Sequence, residues 1–143
     1  MPAGDGRKGI MTSANDNHET ILVVDDEAVV LSLVASILKD GGYAVLCARN
    51  GEEAVQIASR HEGSIDLVLT DIVMPGMNGG ELVRQLLLLK SEIHVLYMSG
   101  YTKYAVVSQG VLESVNSFIW KPFSPSTLLL KVREVLNSPP GNA

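Results

Sequence analysis

Short apolar runs alternate along this chain with stretches in which apolar residues recur every three or four positions, and that alternation leaves few folds open. Residues 20–24, TILVV, are an unbroken, largely β-branched run stopped by acids, as a strand covered on both faces requires. Val30, Leu33, Val34, Ile37 and Leu38 then fall on one side of a helix that Gly41 and Gly42 end. AVLCA (44–48) reads as strand again, and Asn50 with Glu53 gives a capping-box-like start to a helix carrying Ala54, Ile57 and Ala58. DLVLT (66–70) is the third strand, followed by a helix marked by Leu82, Leu86 and Leu89. HVLYM (94–98) is the fourth, residues 103–110 a weak helix, and SFIW (117–120) the fifth strand. Ser124 caps and Pro125 opens a last helix that buries Leu128, Val132, Val135 and Leu136.

Five β-α units in succession imply an α/β fold: a doubly wound, five-stranded parallel sheet with helices on both faces and right-handed crossovers. The polar flanks, 1–19 and 138–143, are expected to be tails, with residues 20–137 as the one domain. At 46% hydrophobic and 19% charged residues the chain is globular in composition. A net charge of −5 argues against direct nucleic-acid binding and against an anionic membrane surface. No apolar run approaches the roughly 18 residues of a membrane span, and the first residues lack the apolar centre of a leader. One cysteine, Cys47, suits a reducing compartment, so a cytoplasmic protein is expected, with Cys47 itself a buried small hydrophobe.

Sheets of this kind place their ligands outside the carboxyl ends of the strands. Those ends carry Asp25-Asp26-Glu27, then Asp71, then Ser99-Gly100, then Lys121-Pro122-Phe123, while the strand interiors carry almost no charge. Each of these groups has an ordinary reading alone: Asp25 and Asp26 as helix caps, Asp71 and Ser99 as turn residues, Lys121 as a solvated side chain. Together they ask for chemistry. Two carboxylates about 4 Å apart at an effective dielectric near 20 repel by on the order of 4 kcal/mol, so a proton or a cation must offset them. Hard oxygen donors at such a site favour Mg²⁺. A carboxylate, a divalent cation, a lysine and a hydroxyl can accept and hold a phosphoryl group, with Asp71 as acceptor and Ser99 as donor to the bound group. Met74 and Met77 are expected to plug the loop, Trp120 to pack on the sheet, and His18, His61 and His94 to be structural or solvent-facing.

The stretches ILVVDDE, DLVLTDIVMPGMNG, VLYMSGYT and FIWKPF resemble, in order and spacing, the signature segments of the response-regulator receiver domain of two-component signalling. Their wording is most similar to receivers of hybrid sensor histidine kinases. The resemblance covers about residues 20–137 and implies a flavodoxin-like sheet in the order 2-1-3-4-5. It implies that Asp71 is the phosphoacceptor and that Asp26 and Asp71 ligate Mg²⁺ directly. Asp25 would act on the metal through water, and the Val73 carbonyl would complete the protein ligands. Ser99 becomes the switch hydroxyl, Lys121 the phosphate-binding lysine, and Lys121-Pro122 a cis peptide.

The implied partners are a histidine kinase or histidine phosphotransfer protein and a downstream protein target, the chain being a monomer or weak homodimer. Output is expected by protein contact through the 103–137 face. Two positions depart from the family pattern. The rotating switch residue, usually tyrosine, is Phe118 here. Val73 and Tyr101 stand where dephosphorylation is tuned, and Val73 has no polar side-chain group to orient water, so a long-lived phosphoryl group is expected. A phosphatase using an Asp nucleophile would need a second Asp where Val73 stands, which argues against a true enzyme. A receiver-like interaction module that ignores phosphate is the alternative that the motifs leave open.

Overall fold

The computed structural model describes residues 19–100 and 117–139. The chain runs through β1 (Thr20–Val24), α1 (Ala28–Asp40), β2 (Ala44–Ala48), α2 (Gly51–Arg60), β3 (Leu67–Asp71), α3 (Gly79–Leu89), β4 (His94–Ser99), β5 (Phe118–Trp120) and α4 (Pro125–Leu136). The helix expected over 103–110 lies outside the described residues, as do 1–18 and 140–143. The strands form one parallel sheet in the order β2-β1-β3-β4-β5, so the sequence order reverses between β1 and β3.

Strand periodicity sorts the core onto two faces. Leu22, Val24, Val68 and Tyr97 face Ala54 and Ala58 of α2 and Leu82 and Leu86 of α3. Ile21, Val23, Leu67, Leu69, Leu96 and Met98 point the other way, toward Leu31, Val34 and Leu38 of α1 and Leu128, Val132 and Val135 of α4. Each fully buried leucine, valine or isoleucine contributes about 1.5–3 kcal/mol relative to exposure, so both faces drive closure of the helices onto the sheet. Among the described residues no helix is long and apolar enough to cross a membrane.

Capping residues fix where the helices begin. The Asn78 side chain accepts the Glu81 amide at 2.9 Å and Glu81 returns to the Asn78 amide at 3.3 Å. Asn50 likewise accepts from the Glu53 amide at 2.8 Å, but Glu53 reaches one residue further back, to the Arg49 amide. Ser124 accepts from the Thr127 amide at 3.1 Å, with Pro125 in the first turn.

Several expectations shift. The third strand is Leu67–Asp71, not 66–70, because Asp66 turns its carboxylate onto the Thr20 amide while Asp71 still pairs with Met98. Leu33 is 57% and Leu89 44% exposed, although both fit the buried stripe of their helices. Cys47 is exposed and not buried, because among the described residues β2 is an edge strand paired with β1 alone. Trp120 is 43% exposed and lies against Phe118, ring centroids 4.4 Å apart.

Candidate functional site

The reversal between β1 and β3 opens the crevice in which the acidic loops meet. β1 ends at Val24, and its continuation places Asp25 fully buried and Asp26 exposed. Asp25 is held from two sides. One oxygen accepts the Glu27 amide at 2.9 Å, and the other meets the Lys121 ammonium at 2.8 Å. So Asp25 closes the turn that precedes α1 with half of its carboxylate, but it is not the helix cap of the plain reading: the N-cap is Glu27, and no side chain caps it.

Asp71 is the last residue of β3 and is 5% exposed. Its Oδ2 lies 3.1 Å from Lys121 Nζ. Its Oδ1 is buried and has no hydrogen-bond partner among the described residues. One carboxylate oxygen each from Asp25, Asp26 and Asp71 lie within 4.8 Å of one another. Lys121 follows β5, its peptide bond to Pro122 is cis, and its amide donates to the Ser99 carbonyl at 2.9 Å. A cavity of about 310 Å³ is lined by Asp26, Glu27, Asp71, Val73, Gly100 and Lys121.

The electrostatics follow from this packing. Burial pushes the Asp71 carboxyl above the ordinary carboxylate range, and the Lys121 ammonium opposes that shift without cancelling it. Burial by itself would lower the Lys121 ammonium, but hydrogen bonding and charge from Asp25 and Asp71 outweigh it and raise the group. One ammonium thus serves two buried carboxylates, and Asp26 adds a third acid beside them. Among the described residues the cluster is short of positive charge. An orphaned buried oxygen within an all-oxygen donor set fits a hard divalent cation such as Mg²⁺.

All the residues singled out at the strand ends lie at this carboxyl edge. Asp25, Asp26, Asp71 and Lys121 come together, and Val73 walls the cavity. Ser99 is buried at the end of β4, paired in register with Trp120. Phe118 is half-buried in β5, against the α2–α3 face and against Trp120. Two features escaped the sequence reading. Glycine at position 79 lets the first turn of α3 sit on the strand end, for a Cβ there would stand 2.5 Å from the Asp71 carbonyl oxygen. Gly51 similarly admits Met77, whose sulfur would lie 2.8 Å from an added Cβ, docking the loop after Asp71 onto α2. The Gly79-Gly80 pair was the available signal, but a close approach between distant segments leaves no periodicity to read.

Comparison with known proteins adds to this geometry. The sequence model described as the response regulator receiver domain matches residues 21–133. The chain is 35% identical over 117 residues to the sensor kinase CckA of Brucella abortus, covering 82% of this chain and 12% of that protein. It is 38% identical over 120 residues to the transcriptional regulatory protein ResD of Bacillus subtilis, covering 84% of this chain and 49% of that one. The chain therefore spans about half the length, or much less, of these curated relatives. Among solved structures, the receiver domain of the hybrid histidine kinase CckA superposes with a TM-score of 0.69 at 35% identity, covering 82% of this chain and 99% of that one. The chemotaxis protein CheY4 of Vibrio cholerae superposes with a TM-score of 0.73 at 28% identity, covering 83% and 99%.

Proposed function

This chain belongs to the family of response regulator receiver domains of two-component systems, and from that premise we propose that it accepts a phosphoryl group on Asp71 and passes the change on to a protein partner. The observation that carries the proposal is the Asp71 carboxylate itself: buried, one oxygen on Lys121, the other without a partner among the described residues, at the wall of an acid-lined cavity. A carboxylate under structural duty alone would have both oxygens satisfied.

In the transfer an Asp71 oxygen attacks phosphorus while the P–N bond to a donor histidine breaks, the bonding pair returning to the imidazole. The product is an acyl phosphate on Asp71. Lys121 would neutralise oxygens of the incoming group, and its hydrogen bond to Asp25, which keeps it from swinging away, supports that role. Asp26 and Asp71, with Asp25 and the Val73 carbonyl, are the groups that would hold Mg²⁺. Bound there, the ion supplies positive charge to the acids and to the phosphoryl oxygens. Ser99 would donate to the attached group, and Phe118 in the adjacent strand would report that contact. The donor would be a histidine kinase or a histidine phosphotransfer protein, in the cytoplasm, and the output a protein contact through the 103–137 face.

Incubation with acetyl phosphate and Mg²⁺, read by intact mass, tests the reading. One added phosphoryl unit in the native chain, absent in Asp71→Asn and absent in EDTA, is expected. No adduct on the native chain, or an equal adduct on the variant, would overturn it and favour a phosphate-independent interaction module.

A further inference from the structure

Met77 sits in the loop that runs from Asp71 to α3, one residue before the Asn78 cap. Gly51, in the first turn of α2, leaves a place that the Met77 side chain fills. The Met77 Cβ and Sδ each lie 2.8 Å from where a Cβ at position 51 would stand. The same side chain packs against the apolar cluster between the sheet, α2 and α3. Three methionines belong to the described residues, and they differ in setting. Met98 is fully buried and Met74 is 6% exposed, whereas Met77 is half-buried. Oxidation of a thioether follows its exposure, so Met77 is the one of the three that a small oxidant reaches first.

We propose that Met77 is a modification site: a peroxide oxidises its thioether to the sulfoxide, and the loop between Asp71 and α3 then loosens from α2. In that step a sulfur lone pair takes the terminal oxygen of the peroxide, the S–O bond forming as the O–O bond breaks. The bonding pair leaves with the other oxygen, which gains a proton and departs as water or an alcohol. Sulfur is oxidised by two electrons and the peroxide is reduced by two. The product sets a polar, chiral group where a flexible apolar one filled an apolar place. Keeping that oxygen away from water without a donor costs free energy, so the side chain gives up its seat on Gly51.

Loosening at this point reaches the acidic site. Asn78 follows Met77 and caps α3 reciprocally with Glu81, and the Gly79 amide donates to the Ile72 carbonyl at 2.8 Å. A displaced Met77 therefore slackens the turn that sits on the Asp71 backbone. Its effect on phosphoryl uptake rests on the reading of Asp71 as phosphoacceptor, and on that reading oxidation slows uptake. Enzymatic reduction of the sulfoxide reverses the change.

The test treats the full chain with graded hydrogen peroxide and maps the product by peptide fragmentation that separates Met74 from Met77. The Met77 sulfoxide is expected to form about tenfold faster than that of Met74 or Met98. Amide protection over residues 72–79 should fall on the order of tenfold in the oxidised chain. Uptake from acetyl phosphate should slow about threefold and recover after treatment with methionine sulfoxide reductases of both stereospecificities. Met77→Leu, which keeps Cys47 and every other methionine, should lose neither protection nor uptake under the same dose. Oxidation of Met77 no faster than Met98, unchanged protection in the oxidised native chain, or equal losses in the variant would overturn the proposal. If the variant does not fold, recovery with the reductases decides, and its failure counts against the site. A chain that takes up no phosphoryl group before oxidation refutes the phosphoacceptor reading instead, and the mapping and protection measurements still decide on Met77.

Discussion

Asp71 is ionisable, buried and touching a lysine, and its burial outweighs the lysine. Its folded pKa is raised, so the folded chain binds this proton more tightly than the unfolded chain does. The group favours folding below its unfolded pKa, and that contribution is lost as pH rises through the folded one. In EDTA near neutral pH, Asp71→Asn should therefore melt at a higher temperature than the native chain. The advantage should shrink as pH falls through the carboxylate range, a trend that calorimetry across pH checks. The Val73 side chain offers the cavity no polar group, so Val73→Asn should shorten the phosphoryl lifetime about tenfold by orienting water, measured by decay of the intact-mass adduct. Gly79→Ala would drive a methyl into the Asp71 carbonyl and should cost about 1–3 kcal/mol in urea unfolding. Asp71, Lys121 and Ser99 were legible because a strand that ends on a polar residue and then breaks sharply marks the edge of a sheet. Gly79 and Cys47 were not. The demand on one comes from a distant backbone, and the exposure of the other comes from the place of β2 at the edge of the described sheet.

At the level of elements, period and punctuation carried most of the information. The described strands fall within one residue of the runs that suggested them, since a doubly covered strand must be apolar throughout. Helical stripes were less faithful. Leu33 and Leu89 fit the spacing but lie beyond the reach of the sheet, because a helix packed on a flat surface buries less of its circumference than the apolar count suggests. The start of α3 matters most to the site, for its first turn sits on the Asp71 backbone. The reciprocal Asn78–Glu81 cap holds that turn. Asn78→Ala should cost about 1 kcal/mol in urea unfolding and also slow phosphoryl uptake, whereas Ser124→Ala at α4 should cost about as much stability with less effect on uptake.

For the whole molecule, strand order decides what meets, and periodicity says nothing of it. Five apolar runs can be laid side by side in many orders, but only an order that sets β1 beside β3 brings Asp25 and Asp26 to Asp71. Lys121 comes from the end of β5, two strands away from β3, and its side chain spans the edge to reach both carboxylates. It is thus a tie between distant parts of the sheet as well as a charge. Removing it by Lys121→Met leaves two buried acids without their counter-ion. The cost should be on the order of 2 kcal/mol, below the ~3–5 kcal/mol of a fully sealed pair because Lys121 is 16% exposed. Among the described residues no other cation is then paired with these acids, and Mg²⁺ would be what offsets them. Saturating Mg²⁺ should raise the melting temperature of Lys121→Met more than that of the native chain, and that of Asp71→Asn least of all. Equal shifts in all three would mean that the ion binds elsewhere, and that the strand order has gathered these acids for a purpose other than holding it.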